Sequence, residues 1–414
     1  MPHDWKSTRI GDICKTNQQT YSVSEKWQFV NYLDTGNLTE NRINEIQYLV
    51  IGHDALPSRA RRKVDIDDIL YSTVRPNQRH YGIVKEVLPN MLVSTGFVVI
   101  TTDKAVADSN FLYYYLSKDE IVESLHAIGE QSVSAYPSIK PSDIEGLELL
   151  LPPLGEQIEI GRTLRALDDK IELNNKINAN LEAQAQAIFK SWFVDFEPFL
   201  DGEFVDSELG EIPVGWRIGT INDIAVDIVC GKTPSTKVSE YFGNDIPFIT
   251  IPDMHGRIYV TSTERSLSSA GAASQANKTV PPNSVCVSCI ATAGLVVLTS
   301  EHSQTNQQIN TIVCKENISP FYVYLAMIRM SDHIKMLGLS DSATNNLNKG
   351  QFAKIELFIP EHKVVGEFSY IVEPLFDKIK QNQKESALLA TLRDTLLPRL
   401  MSGELSVDDL SGGK

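Results

Sequence analysis

The chain has 414 residues, 42% of them hydrophobic, and a formal net charge of −15. That length and apolar content suit two to three domains with full cores, and no apolar run is long enough to span a membrane. The N-terminus MPHDWKSTRIGD lacks the apolar stretch of a secretory leader, and five cysteines in no framework spacing point to a reducing, cytoplasmic setting.

In chain order, residues 1–152 read as a first globular domain mixing strands and helix. DILYSTV (68–74), FVVITT (97–102) and LELLLP (147–152) have the branched, apolar character of strands. NFLYYYLSKDEIVESLHAI (110–128) reads as one helix capped by Ser109 or Asn110. Arg59, Arg61, Arg62, Lys63, Arg75, Arg79 and Lys85 lie within 27 residues. Duplex DNA is held by local basic patches that neutralise phosphates, so the acidic total does not exclude it. It does favour a more basic partner. Within the cluster, Arg75, Asn77, Gln78, Arg79 and His80 share a loop with Pro76. Arginine pairs bidentately with guanine, and Asn or Gln with adenine, so this loop is a candidate major-groove reader. The alternative is a solvated loop.

Residues 153–196 form a second segment, read as one long helix over 154–193. Leu164, Leu167, Ile171, Asn174, Asn178, Leu181, Ala185, Ile188 and Trp192 are spaced by alternating threes and fours, the seam of a coiled coil. A 40-residue helix is about 60 Å long. Phe189, Trp192 and Phe193 are apolar beyond what the seam needs. They suit either partner docking or contact with a neighbouring domain. Residues 197–206 read as an acidic linker, and the Gly/Pro punctuation continues to 215.

Residues 207–360 read as a second α+β domain, with SPFYVYLAMIRMSDHIKML (319–337) as a helix capped by Ser319. Here Lys232, Thr233 and Ser235 are candidate phosphate contacts, and Asn306, Gln307 and Gln308 candidate base readers. Residues 361–402 form a second long helix, with Leu375, Ile379, Asn382, Leu389 and Leu396 on its seam. Pro374 should kink or restart it and Pro398 should end it, ahead of a tail over 403–414. Seam asparagines cost stability but fix register, so Asn174 and Asn382 are expected to meet.

The second half repeats the first. Pro152, Asp169-Lys170-Ile171 and Asn174 recur as Pro360, Asp377-Lys378-Ile379 and Asn382, each 208 positions on. Pro2, Trp5 and Asp12 match Pro213, Trp216 and Asp223. Phe29 and Asp34 match Phe248 and Asp253. DILYSTV matches SVCVSCI (284–290), and FLYYYL (111–116) matches FYVYLA (321–326). The expected fold is α+β: a tandem duplication of one globular domain plus one helix, with the helices paired antiparallel. A protein with two similar heads suits a two-part target.

Catalytic motifs are decoys. Gly231-Lys232-Thr233 resembles the end of a phosphate loop, but Val226 stands where its first glycine belongs and Pro234 follows directly. Cys286-x-x-Cys289 has no second pair to complete a metal site, and an alternating run sends the two cysteines to opposite faces. No catalytic residue and no metal site is expected on this chain. A DNA-recognition role and a coiled-coil interaction scaffold without a DNA role both remain open on these grounds.

LPPLGEQIEIGRTLRALDDKIELNNKINANLEAQAQAIFKSWFVDFEPF (151–199) resembles the central conserved region of type I restriction–modification specificity subunits. LRDTLLPRLMSGEL (392–405) resembles their C-terminal conserved region. DSELGEIPVGW (206–216), GKTPS (231–235) and TNQQIN (305–310) are similar to shorter motifs of that family. The first half has no GKTPS-like segment, and Val93-Ser94-Thr95-Gly96 stands opposite Thr305-Asn306-Gln307-Gln308. The resemblance implies a non-catalytic subunit whose two target-recognition domains each read half of an asymmetric double-stranded DNA site. It implies helices that set the spacing and dock two methyltransferase subunits, with restriction and translocase subunits added to that core. S-adenosylmethionine, Mg2+ and ATP would then bind the partners.

Overall fold

A computed structural model describes residues 4–131, 137–340 and 346–411; Pro2 and the last three residues of the tail lie outside them. Internal contacts divide the chain into two compact units, residues 1–169 with 389–414, and residues 170–388. Each unit therefore holds one globular domain and a stretch of both long helices.

In the first unit, the antiparallel pair Lys6–Arg9 and Glu148–Leu151 brings the two ends of the domain together. One four-stranded sheet runs in the order Cys14–Thr16, Phe97–Thr102, Ile69–Ser72, Tyr81–Ile83. A second runs Gln47–Val50, Phe29–Leu33, Met91–Ser94, Ala60–Arg62. Phe97, Val98 and Ile100 are fully buried, so this strand carries core on both faces.

The expected single helix over 110–128 is two, Ser109–Ser117 and Asp119–Glu130. Lys118 between them has an extended ψ of 138°, which no helix continues through. The cap is Asp108, whose carboxylate accepts from Phe111 N at 2.9 Å. Ser109 instead turns its hydroxyl to Thr102 Oγ1 at 2.5 Å, inside the core.

The second unit repeats the plan. Ala225–Cys230, Ile309–Cys314, Val285–Ser288, Val296–Thr299 and Tyr259–Val260 form a five-stranded sheet in that order. Phe242–Gly243, Ser266–Leu267, Ile246–Ile249 and Gln304–Thr305 form the second. Ser319 caps the helix Pro320–Arg329 by accepting from Tyr322 N. Cys286 and Cys289 join separate apolar clusters.

Sheet register also corrects one repeat match. Phe97 pairs with Ser72 and Ile309 with Ser288, which makes Phe97 and Ile309 equivalent. The parallel pairs Val93–Leu33 and Thr305–Ile249 then make Leu33 equivalent to Ile249. The Phe29/Phe248 and Asp34/Asp253 matches therefore slide by three positions. Sequence alone did not show this because both segments are short and apolar.

The long helices are Leu154–Phe193 and His362–Met401. The second neither breaks at Pro374 nor stops at Pro398. Proline frees the carbonyl four residues earlier. For Pro374 that residue is Tyr370, which is 84% exposed, so water can take the freed carbonyl. Asp394 stands in the same relation to Pro398 and is also exposed.

Every seam residue named above is buried or half-buried. In the first unit Leu164 shares a cluster with Leu396 and Leu400. In the second, Lys170 pairs with Glu385, and Asn178 with Asn382. Rising numbers on one helix meet falling numbers on the other, so the helices run antiparallel there.

The expected linker is built structure. A 3-10 turn at Glu197–Phe199 leads to a hairpin, Phe204–Ser207 with Gly210–Pro213. Its Ile212 is buried, and Phe196 and Phe199 lie 5.5 and 5.3 Å from the Trp216 ring. The tail holds a short helix, Val407–Ser411, and Leu405 and Val407 cover the first unit's core.

Candidate nucleic-acid interface

In the second domain, two segments whose contacting residues Thr233 and Gln307 lie 74 positions apart form one surface. The strand Ala225–Cys230 delivers Gly231 and Lys232 against Thr305 and Asn306: Lys232 N donates to Thr305 O at 2.9 Å, and Gly231 N to Ile309 O at 3.1 Å. A Cβ at Gly231 would sit 2.1 Å from Asn306 O and 2.3 Å from Thr305 O. Only glycine allows that approach, which is why the segment reads Gly-Lys-Thr-Pro-Ser. Thr233 Oγ1 donates to Gln307 Oε1 at 2.8 Å, tying the two segments side chain to side chain. Lys232, Ser235 and Gln307 are exposed.

Asn306 and Gln308 bond to each other, and Gln308 is half-buried. Asn306 is buried, its Nδ2 donates to Gln308 Oε1 at 2.9 Å, and its Oδ1 accepts from Gln308 N at 3.0 Å. This asparagine closes its own turn. Behind it, Gln275 was not foreseen. Its buried Nε2 donates to Lys232 O at 2.7 Å and to Gln304 Oε1 at 2.8 Å. Gln304 Nε2 in turn donates to Thr279 Oγ1 at 2.9 Å. The two amides fix both segments from behind. A lone glutamine in AASQANK carries no sequence signal for such a role.

In the first domain, a 3-10 turn at Pro76–Gln78 presents Arg75, Asn77 and Gln78 to solvent. Arg75 and Arg79 flank it with φ of 47° and 56°, a left-handed conformation that non-glycine residues seldom adopt. Two other residues of the expected loop are committed elsewhere. Arg79 Nη2 donates to Asp119 Oδ1 at 2.6 Å, and its Nη1 lies 3.6 Å from Glu40 Oε1. Burial would lower the Arg79 pKa, but Asp119 and Tyr81 outweigh it and push it up. His80 Nδ1 donates to Leu38 O at 2.7 Å. Both residues brace the turn from within, so the exposed candidates there are Arg75, Asn77 and Gln78.

The aromatic trio on the first long helix also faces inward. Phe189 and Phe193 are buried in the second unit, at 6.2 and 4.8 Å from the Phe368 ring. Trp192 is half-buried against Phe199, at 6.1 Å. Two of the three residues expected to dock a partner are therefore core of their own unit. Of the alternatives left open by sequence, contact with the neighbouring domain holds.

Duplicated α+β domains, each with a polar loop surface, and paired long helices define a class of two-headed recognition protein. The family model described as "Type I restriction modification DNA specificity domain" matches twice, at residues 2–183 and 213–390. A type I restriction enzyme HindI specificity subunit from Haemophilus influenzae is 34% identical over 97% of this chain and 100% of its own length. The MjaIX specificity subunit from Methanocaldococcus jannaschii is 26% identical, over 99% of this chain and 95% of its own. A crystal structure of a type I restriction–modification S subunit from M. genitalium shares the fold, with a TM-score of 0.60 at 15% identity and 96% of each chain covered. The chain belongs to the type I restriction–modification DNA specificity family. It is a specificity component of such a system, not its catalytic part.

Proposed function

We propose that this chain reads an asymmetric two-part site in double-stranded DNA, one half per domain, for a methyltransferase and restriction complex. The observation that carries this is a difference between two like-built domains. At equivalent places the second domain has Thr305-Asn306-Gln307-Gln308 and the first Val93-Ser94-Thr95-Gly96. Equal scaffolds with unlike polar surfaces suit unlike half-sites.

In the second domain, Lys232 and Ser235 contact phosphates and Gln307 reaches a base edge. In the first, Arg75, Asn77 and Gln78 approach the duplex from a turn already held in a left-handed backbone. The helix pair sets the half-site spacing and docks two methyltransferase subunits. Tyr370, 84% exposed, and Leu388, 72% exposed, are apolar side chains of the second helix that such a partner would cover. Restriction and translocase subunits join that core in the cytoplasm. S-adenosylmethionine, Mg2+ and ATP are held by the partners.

Reconstitution tests the reading. Purified chain with DNA and S-adenosylmethionine should transfer no methyl groups. Adding type I methyltransferase subunits should yield adenine methylation at one defined sequence. Robust methylation by the chain alone, or methylation by the complex without sequence preference, would overturn it.

A further inference from the structure

The first domain lacks the Gly-Lys-Thr-Pro-Ser surface, and the register shows what stands in its place. Thr16 pairs with Ile100 and Ile228 with Ile312, at equivalent points of equivalent strands. Counting on from each, Thr20 takes the place of Lys232, and Val93 takes that of Thr305. In the second domain those two positions touch, through Lys232 N to Thr305 O at 2.9 Å. In the first they are separated by one residue, Arg62, which pairs with Thr20 on one side and Val93 on the other. The strand Ala60–Arg62 is interposed where the second domain closes up; no chain has been added, because at the same distance before the equivalent strand the second domain has the 3-10 turn Ala276–Lys278. The strand's backbone is held along its length: Tyr21 N donates to Arg61 O at 2.7 Å, Lys63 N to Gln19 O at 3.2 Å, and Thr95 N to Arg59 O at 2.8 Å.

This strand and its entry carry arginine at 59, 61 and 62. Ala60 is fully buried beside Tyr32 and Leu92 and anchors the strand. The pairing shifts register at Val93/Ser94, which leaves Arg61 as the extra residue of a bulge between Ala60 and Arg62, half-buried like Arg62. Arg59 is exposed, and it lies beside Thr95, the position equivalent to the exposed Gln307. Arg62 is half-buried, and among the described residues its buried Nε has no hydrogen-bond partner. Burial lowers the pKa of that guanidinium. By contrast, Lys63 is paired with Glu25 at 2.5 Å and Lys85 with Asp169 at 2.7 Å. The arginines of this strand are thus the part of the basic cluster set at the equivalent of the second domain's polar surface.

We infer that the interposed strand, through Arg59, Arg61 and Arg62, is the first domain's principal DNA-contacting element, taking the place of the Lys232–Gln307 surface. The ligand is duplex DNA: guanidinium groups suit phosphate oxygens and the O6/N7 edge of guanine. The inference rests on the DNA-reading function proposed above and names the residues through which the first half-site is bound.

The test is selection from a randomised duplex library by the full chain assembled with its methyltransferase subunits. Wild type should enrich two separate sequence blocks. Arg59→Gln, an exposed change that leaves the fold intact, should lose base preference in one block by about tenfold or more while keeping the other, as expected for a bidentate contact. The triple variant Arg59→Gln/Arg61→Gln/Arg62→Gln should also flatten the salt dependence of binding, by about one unit of log–log slope for each phosphate no longer neutralised. Circular dichroism and retained preference in the second block report on folding. Unchanged preference and an unchanged salt slope in both variants would overturn the inference and leave the DNA-reading function standing. A wild-type complex that enriches no sequence would instead remove the function on which the inference rests.

Discussion

Arg393 on the second long helix donates through Nη1 to Asp168 Oδ1 on the first at 2.6 Å, and neither residue has a charged counterpart in the other copy of the repeat. Displaced by the repeat's 208 positions, Asp168 becomes Phe376 and Arg393 becomes Ala185, both fully buried. The tyrosines that meet them are equivalent too. Tyr114 donates to Asp168 at 2.6 Å, whereas the ring of Tyr324 meets Phe376 edge-on at 5.5 Å. One unit thus uses an ion pair where the other uses an aromatic ring and a methyl group. Burial opposes the charge on Arg393, but Asp168 and Asp394 outweigh it and hold the pKa up.

Breaking one side of a buried pair is worse than replacing both. Arg393→Ala should therefore cost about 1–3 kcal/mol, reduced from the fully buried case because the pair keeps some solvent contact. Asp168→Phe together with Arg393→Ala, copying the other unit, should recover most of that loss. Urea denaturation of the three variants measures both. A double variant no more stable than Arg393→Ala would show that the two seams are not interchangeable.

The seam asparagines do meet, but in a wider network than their spacing suggests. Asn174 Nδ2 donates to Glu385 Oε2 at 2.8 Å and more distantly to Asn382 O at 3.4 Å. Asn382 Nδ2 donates to Asn178 Oδ1 at 2.9 Å, where both residues are buried. Asn382→Leu should leave the Asn178 carbonyl without a donor and cost about 1–3 kcal/mol. The same denaturation measurement checks it; a stabilised variant would mean that Asn178 finds another partner.

The periodic parts of this fold were legible because one long pattern repeats: seam, duplication and helix limits follow from spacing alone. Prolines 374 and 398 misled because their cost depends on whether solvent reaches the freed carbonyl, which composition does not reveal. Arg79, His80, Asn306 and Gln308 have the right chemistry for base reading. Arg79 and His80 are engaged by partners far away in sequence, Asp119 and Leu38, whereas Asn306 and Gln308 bond to each other two positions apart. The interposed arginine strand was hidden for a related reason. Its residues were visible as a basic cluster, but their place between Thr20 and Val93 is a matter of register.

Gly231→Ala should unseat the second domain's polar surface. The added Cβ meets backbone oxygens, which cannot swing away as a flexible side chain would. A loss of about 1–3 kcal/mol is expected, as for overpacking. Library selection should show the second sequence block degraded and the first retained. A variant with wild-type stability and preference would mean that Gly231 has room the geometry does not show.

Stability should fall on the alkaline side. Burial pushes the thiols of Cys14, Cys286, Cys289 and Cys314 up to about 12. In the unfolded chain they ionise near about 8.5. Groups with raised folded-state pKa stabilise the fold below the unfolded value, and that stability drains away as pH rises toward the folded value. The melting temperature should decline from about pH 9 upward. Cys286→Ala should show a shallower decline than wild type, and a flat wild-type profile would contradict the assignment.

The most direct measurement is to map every methylated adenine on plasmid DNA after treatment with the chain and its methyltransferase subunits. Two like-built domains with unlike surfaces predict one motif made of two dissimilar blocks of specified bases, separated by unspecified ones. A single continuous block, or a palindrome with identical halves, would contradict the account.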